Sequence, residues 1–196
     1  MQMIRAFIAV DLPAELQARL VEVITLFKSH LSGIPIRWVH SGNIHLTLKF
    51  LGDVSAPNLE ILKKMLQGDA EQYAAFEMSI GGAGAFPSSH KPHVIWVGIE
   101  APPALYNLQN SIDTQTAKLG YPKEDRSFSP HLTLGRVARH ASFTDLQKIG
   151  KVLEQTRVGF LGMAPITEVC LYKSDLTPAG SVYTKLYKVP LIRIVE

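Results

Sequence analysis

The chain has 196 residues, 46% of them apolar, with a formal net charge of +3 and one cysteine, Cys170. That length suits one large domain or two small lobes around a real core, and neither the modest charge content nor any low-complexity run signals disorder. A lone cysteine excludes an intramolecular disulfide, nothing resembles a Cys/His zinc cluster, and no apolar run approaches membrane-spanning length; a reducing, cytoplasmic location fits, and the absence of a Lys/Arg block excludes a duplex-wrapping protein while the slight positive balance favours an anionic partner.

"IRAFIAVDLP" opens the chain with Ile4, Ala6, Ile8 and Val10 on one side, which predicts a strand; it is too short, and too soon interrupted by Asp11, for a signal peptide. Leu16, Leu20, Val23, Ile24, Phe27 and Leu31 then recur at helical spacing. "NIHLTLKF" (Asn43 to Phe50) alternates with period two, so His45 and Thr47 share one face and Leu46 and Leu48 the other. A helix carrying Leu59, Leu62, Met65 and Leu66 follows, then a strand region "AFEMSIGGAGAF", with glycines and prolines between Gly81 and Pro92 as punctuation. "PHVIWVGIE" begins the scheme again. A helix with Leu105, Leu108, Ile112 and Leu119 leads to "SPHLTLGR", which places His131 and Thr133 opposite Leu132 and Leu134. Leu146, Ile149 and Leu153 mark a fourth helix, opened by Thr144 and Gln147 at capping-box spacing, and "VGFLGMAPITEVCLYKS" and "SVYTKLYKVPLIRI" complete the strands.

Strand, helix, HLTL strand, helix, strand is thus written twice, with His131 following His45 by 86 residues. The expected fold is α+β: two pseudo-symmetric lobes, each an antiparallel sheet with helices on its outer face, and a central cleft between them. A single bilobal domain spans residues 1–196, with repeat one at about 1–88 and repeat two at about 92–196. A pseudo-two-fold axis brings two imidazoles and two hydroxyls to one point. Histidine titrates near neutrality, so one of a pair serves as base while the other serves as acid, and hydroxyls suit phosphate oxygens. In-line displacement at phosphorus needs opposed groups at the entering and leaving oxygens, and a cyclic phosphodiester needs only water, one base and one acid. One histidine in a strand is usually a surface or packing residue. Two, each with its threonine in the same larger repeat, point to a site, because packing alone does not explain keeping both on the face away from the leucines.

These segments give the chain a specific likeness. It resembles the 2H phosphoesterase superfamily, which has two H-x-T-x motifs, and within it the RNA 2′,3′-cyclic phosphodiesterases, also called 2′-5′ RNA ligases. "RAFIAVDLP", "RWVHSGNIHLTLKFLGDV", "HVIWVGIE" and "GYPKEDRSFSPHLTLGRV" carry the likeness over nearly the whole chain. The resemblance implies metal-independent hydrolysis of RNA 2′,3′-cyclic phosphodiesters to 2′-phosphomonoesters, with no cofactor and no metal. It implies His45 as proton donor, His131 as proton acceptor, and Thr47 and Thr133 as phosphate ligands. Arg136 matches a basic residue after the family's second motif, but strict alternation turns it away from His131 unless the strand ends or bulges near Gly135. The first motif has Lys49 and Phe50 there instead, and His40-Ser41-Gly42 departs from the family's prolines. The expected partners are RNA ends or nucleotides carrying a 2′,3′-cyclic phosphate, with no membrane, and the expected state is a monomer. The alternatives are 2′-5′ RNA ligase or 2′,5′-phosphodiesterase activity in the same site, or a non-catalytic module binding nucleotides or RNA ends.

The remaining candidates read as packing or surface. Phe7 is a core aromatic or a base-stacking ring, Trp38 and Trp96 are packing residues, and His30, His40, His90, His93 and His140 are solvated. Tyr183 and Lys185 alternate at positions that either line the cleft or face solvent.

Overall fold

A computed structural model describes residues 3–178 and 180–193. In chain order the elements are β1 (Met3–Val10), α1 (Ala14–His30), β2 (Ile36–Trp38), a 3-10 turn (Ser41–Asn43), β3 (Leu46–Ser55), α2 (Ala56–Ala70), β4 (Phe76–Phe86), β5 (Val94–Glu100), α3 (Pro103–Lys118), β6 (His131–Val137), α4 (Phe143–Gln155), β7 (Phe160–Ile166), β8 (Glu168–Thr177) and β9 (Gly180–Pro190). The strands form two antiparallel sheets: sheet A in the order β3-β1-β8-β9 and sheet B in the order β2-β6-β5-β4-β7.

The apolar periodicities land where the sequence puts them. Leu16, Leu20, Val23, Ile24 and Phe27 of α1 are buried, as are Leu62 and Leu66 of α2, Leu105, Leu108 and Ile112 of α3, and Ile149 and Leu153 of α4. Leu46, Leu48, Leu132 and Leu134, the four leucines of the HLTL pair, are at most 2% exposed. Burying one leucine stabilises by roughly 1.5–3 kcal/mol, so the motif strands are anchored from the face opposite their histidines.

Connectivity interlocks the two lobes. α1 leaves β1 of sheet A but packs against β7 of sheet B, and α3 leaves β5 of sheet B but packs against β3 and α2. β4 follows α2, which covers sheet A, and enters sheet B between β5 and β7; β8 follows β7 and enters sheet A between β1 and β9. Each sheet therefore contains a strand supplied from the other side of the molecule.

Three local expectations need correction. The capping box of α4 is Ser142 and Asp145, not Thr144 and Gln147, because the helix starts one turn-fraction earlier at Phe143 and Asp145 supplies the reciprocal carboxylate. Gly81, Gly82 and Gly84 lie inside β4 rather than in a connector; the ladder bulges between Gly81 and Ala83, where Gly82 takes a φ of 69°. β2 is an added strand that stands outside the repeated scheme. No helix among the described residues is long and apolar enough to cross a membrane.

Candidate active site

The two HLTL segments share a construction deeper than their spelling. In the β1–β3 ladder, Ala9 pairs with Thr47 but Ile8 pairs with Lys49, so Leu48 is an extra residue. In the β5–β6 ladder, Trp96 pairs with Thr133 but Ile95 pairs with Gly135, so Leu134 is the extra residue. Each bulge turns two successive residues inward: Leu48 with Lys49, and Leu134 with Gly135, all buried. The residue after them returns to the helix-free face beside the histidine and threonine. In sheet B that residue is Arg136 and in sheet A it is Phe50, both exposed. The bulge thus meets the condition under which Arg136 shares a face with His131.

Different inward residues follow from different neighbours. Lys49 reaches α3, where its Nζ lies 2.5 Å from Asp113 Oδ1 and also donates to the Pro122 carbonyl. Gly135 sits under β2, and any Cβ there would come within 2.9 Å of Ile36 and Trp38. Glycine is required at this point by close approach.

His131 is the first residue of β6, and His45 stands just before β3 rather than within it. The His131 imidazole bonds to the carbonyl two residues upstream: its Nδ1 lies 2.7 Å from Ser129 O. Donation of the Nδ1 proton to that carbonyl leaves the other ring nitrogen of His131 free for proton transfer. Thr47 and Thr133 are half-buried on the same face as their histidines.

The surroundings of the two histidines differ. Phe7, His45 and Tyr172 form a cluster of near-parallel rings, with Phe7 4.8 Å from His45 (24° between planes) and 5.2 Å from Tyr172 (12°), and Tyr183 meets His45 edge-on at 5.1 Å. An Asn43 Nδ2 bond of 2.7 Å to Ser181 O ties the β8–β9 hairpin over this box. Burial accordingly pushes His45 down to about 4, against the opposing pull of the Asp11 charge and the Asn43 carbonyl. His131 packs edge-on to Phe86 at 4.8 Å and is also lowered, first by burial and further by the Arg136 charge, with the Ser129 bond opposing. Both imidazoles are neutral at pH 7, but their charged neighbours have opposite signs.

Asp11, Glu168 and Cys170 form the only described group with metal-ligand spacing, and an ammonium already occupies it: Lys185 Nζ lies 2.6 Å from Asp11 and 3.4 Å from Glu168. Tyr172 donates to Asp11 at 2.6 Å, and burial together with the carboxylates raises both the Tyr172 hydroxyl and the Cys170 thiol, the latter to about 12.

Phe7, only 3% exposed, is a packing ring, whereas Phe50, 57% exposed, is the aromatic surface that sequence reasoning passed over. The equivalence of Phe50 and Arg136, each three residues after its threonine, was the available signal. Trp96 lies on the helix-free face beside Thr133, not in the core, while Trp38 packs inward as expected. Tyr183 covers His45, Lys185 binds Asp11, and the other five histidines are exposed.

Many known proteins are similar to this chain. The family described as LigT like Phosphoesterase matches residues 10–96 and again 97–183. An RNA 2′,3′-cyclic phosphodiesterase of Methanothermobacter thermautotrophicus is 36% identical over 183 residues, 93% of this chain and 96% of that protein. Its Escherichia coli counterpart is 33% identical over 183 residues, covering 93% of each. The crystal structure of E. coli LigT complexed with 3′-AMP superposes with a TM-score of 0.76 at 27% identity, over 97% of this chain and 99% of that one.

Proposed function

The chain belongs to the LigT-like phosphoesterase family, and from that premise we propose that it opens RNA 2′,3′-cyclic phosphodiesters to 2′-phosphomonoesters with a His45/His131 acid–base pair. The observation that carries the mechanism is the mirrored construction of the two motifs, each with a bulge at its second leucine and with its histidine and threonine opposite the buried leucines. The same reading takes residues of about 1–88 and 92–196 as copies of one ancestral unit, and the protein as a cytoplasmic monomer.

Water attacks phosphorus as His131 takes its proton. The P–O3′ bond breaks, and His45 gives a proton to the departing O3′. Thr47 and Thr133 donate hydrogen bonds to the non-bridging oxygens, and Arg136 balances their charge. The signs of the neighbours support this division of labour. Arg136 disfavours a cation at His131, as a base requires, whereas Asp11 favours one at His45, as an acid requires. Burial keeps His45 neutral in the free protein, and the anionic phosphate supplies the charge that draws a proton onto it. Phe50 offers a stacking surface for the terminal base. Solvent then returns the proton from His131 to His45.

Hydrolysis of adenosine 2′,3′-cyclic phosphate, with separation of the 2′- and 3′-phosphates, tests this directly. Each of His45→Ala and His131→Ala is expected to lower kcat by roughly 10²–10⁴-fold. Activity is expected to survive exhaustive chelation. Full activity in either variant removes the pair, a 3′-phosphate product reverses the leaving group, and loss with EDTA that one divalent ion restores overturns the metal-free route.

A further inference from the structure

The face that carries Arg136 holds a second arginine. In the β2–β6 ladder Arg37 pairs directly with Arg136, and both are exposed. Cross-strand partners stand about 5 Å apart at Cβ, and like charges in that position repel. Among the described residues neither guanidinium takes part in an ion pair.

This juxtaposition is held in place. Ile36 pairs with Val137 and Trp38 with Gly135, so they flank Arg37 on the opposite, core-facing side and seat β2 against the buried glycine. Val39 N donates to Leu134 O and Ala138 N to Pro35 O, each at 2.8 Å, closing the ladder at both ends. Two repelling cations are therefore fixed side by side by packing and backbone bonds, Arg136 on the strand that carries His131 and Thr133 and Arg37 on the strand next to it. Phosphate oxygens are the natural counterpart of such a pair, since the guanidinium fork matches them.

We infer that Arg37, beside Arg136, forms a second phosphate subsite that takes the backbone phosphate on the 5′ side of the terminal nucleotide. The inference rests on the cyclic-phosphate reading, because a 2′,3′-cyclic phosphate ends its chain and leaves only the 5′ direction for a further phosphodiester. β2 is the edge strand of sheet B, so an RNA strand running from the histidines past Arg136 and Arg37 leads out to solvent. The substrate class is then an oligoribonucleotide end, in preference to a free nucleotide.

Binding of a pentaribonucleotide ending in a 2′-phosphate, compared with adenosine 2′-monophosphate, tests the subsite without turnover. The wild type is expected to prefer the oligonucleotide, and Arg37→Gln to cut that preference roughly tenfold. The slope of log K against log salt for the oligonucleotide is expected to fall by about 0.7–1 in the variant. Arg37→Lys keeps the charge without the fork and is expected to lie between. A structural role for Arg37 predicts a lower melting temperature in Arg37→Gln, whereas relief of repulsion predicts an unchanged or higher one. An unaltered preference and slope in Arg37→Gln, or a wild type with no preference for the oligonucleotide, overturns the subsite. Arg37-dependent affinity in a wild type that hydrolyses no cyclic phosphate keeps the subsite and removes the catalytic reading.

Discussion

At the scale of single residues, the two histidines pose the sharpest electrostatic question. His45 moves from its ordinary 6.5 to about 4 because Phe7, Tyr172 and Tyr183 exclude water, and His131 moves in the same direction. In the proposed mechanism the reactive form of the pair carries one proton, which the lowered imidazoles of the free enzyme take up only at acidic pH. We therefore expect kcat/KM on a cyclic mononucleotide to peak below pH 6.5 and to fall as the pH rises through neutrality, with both limbs belonging to the coupled pair. An optimum above pH 7.5 contradicts neutral imidazoles in the free enzyme. The same shift acts on stability. The unfolded chain protonates His45 near 6.5 and the folded chain only near 4, so this residue's contribution is intact above pH 6.5 and is lost as the pH falls toward 4. Urea unfolding of His45→Gln is expected to show a shallower loss of stability than the wild type across that interval, and parallel curves exclude the shift.

At the scale of elements, β3 and α3 are joined by a buried ion pair, to which the segment leading into β6 also contributes. The Lys49 and Asp113 side chains are 1% and 10% exposed, and the Pro122 carbonyl and Glu124 N–H complete the cluster. Removing one partner strands a charge in the interior, so Lys49→Met or Asp113→Asn is expected to cost about 3–5 kcal/mol in urea unfolding. Lys49→Met combined with Asp113→Asn leaves no charge behind and is expected to recover most of the loss; an additive double variant shows that the two residues do not act as a pair. This cluster also marks the limit of what the sequence discloses. The leucine periodicities, both motif faces and the four helices are local patterns, and all are legible from Leu16 to Leu153. The bulges at Leu48 and Leu134 are not, because a bulge is a mismatch with a partner strand and leaves no mark in the bulged strand's own alternation. Hence strict alternation puts Lys49 on the histidine face, Phe50 with the leucines and Arg136 away from His131, and only β1, β2 and β5 in register beside them reverse those placements.

For the whole molecule, the exchange of β4 and β8 between the sheets, with α1 and α3 crossing the opposite way, decides how the lobes depend on each other. Short-range pattern identifies the strands but not their partners, so this exchange could be read only from the folded pairing. Neither sheet can form from one half of the sequence: sheet A needs β8 and β9, and sheet B needs β2 and β4. Damage in one lobe must therefore be felt in the other. Leu46 lies in sheet A and is 1% exposed, and Leu46→Ala is expected to cost about 2–5 kcal/mol. If the lobes unfold together, native-state hydrogen exchange of Leu46→Ala will show that loss equally in the slowest amides of β1 and of β5, although β5 lies in the other sheet. A loss confined to β1, β3, β8 and β9 means that sheet B survives alone and that the exchanged strands do not couple the lobes. Equal loss also has a functional sense, since the proposed acid–base pair draws its two histidines from separate sheets and needs both lobes folded together.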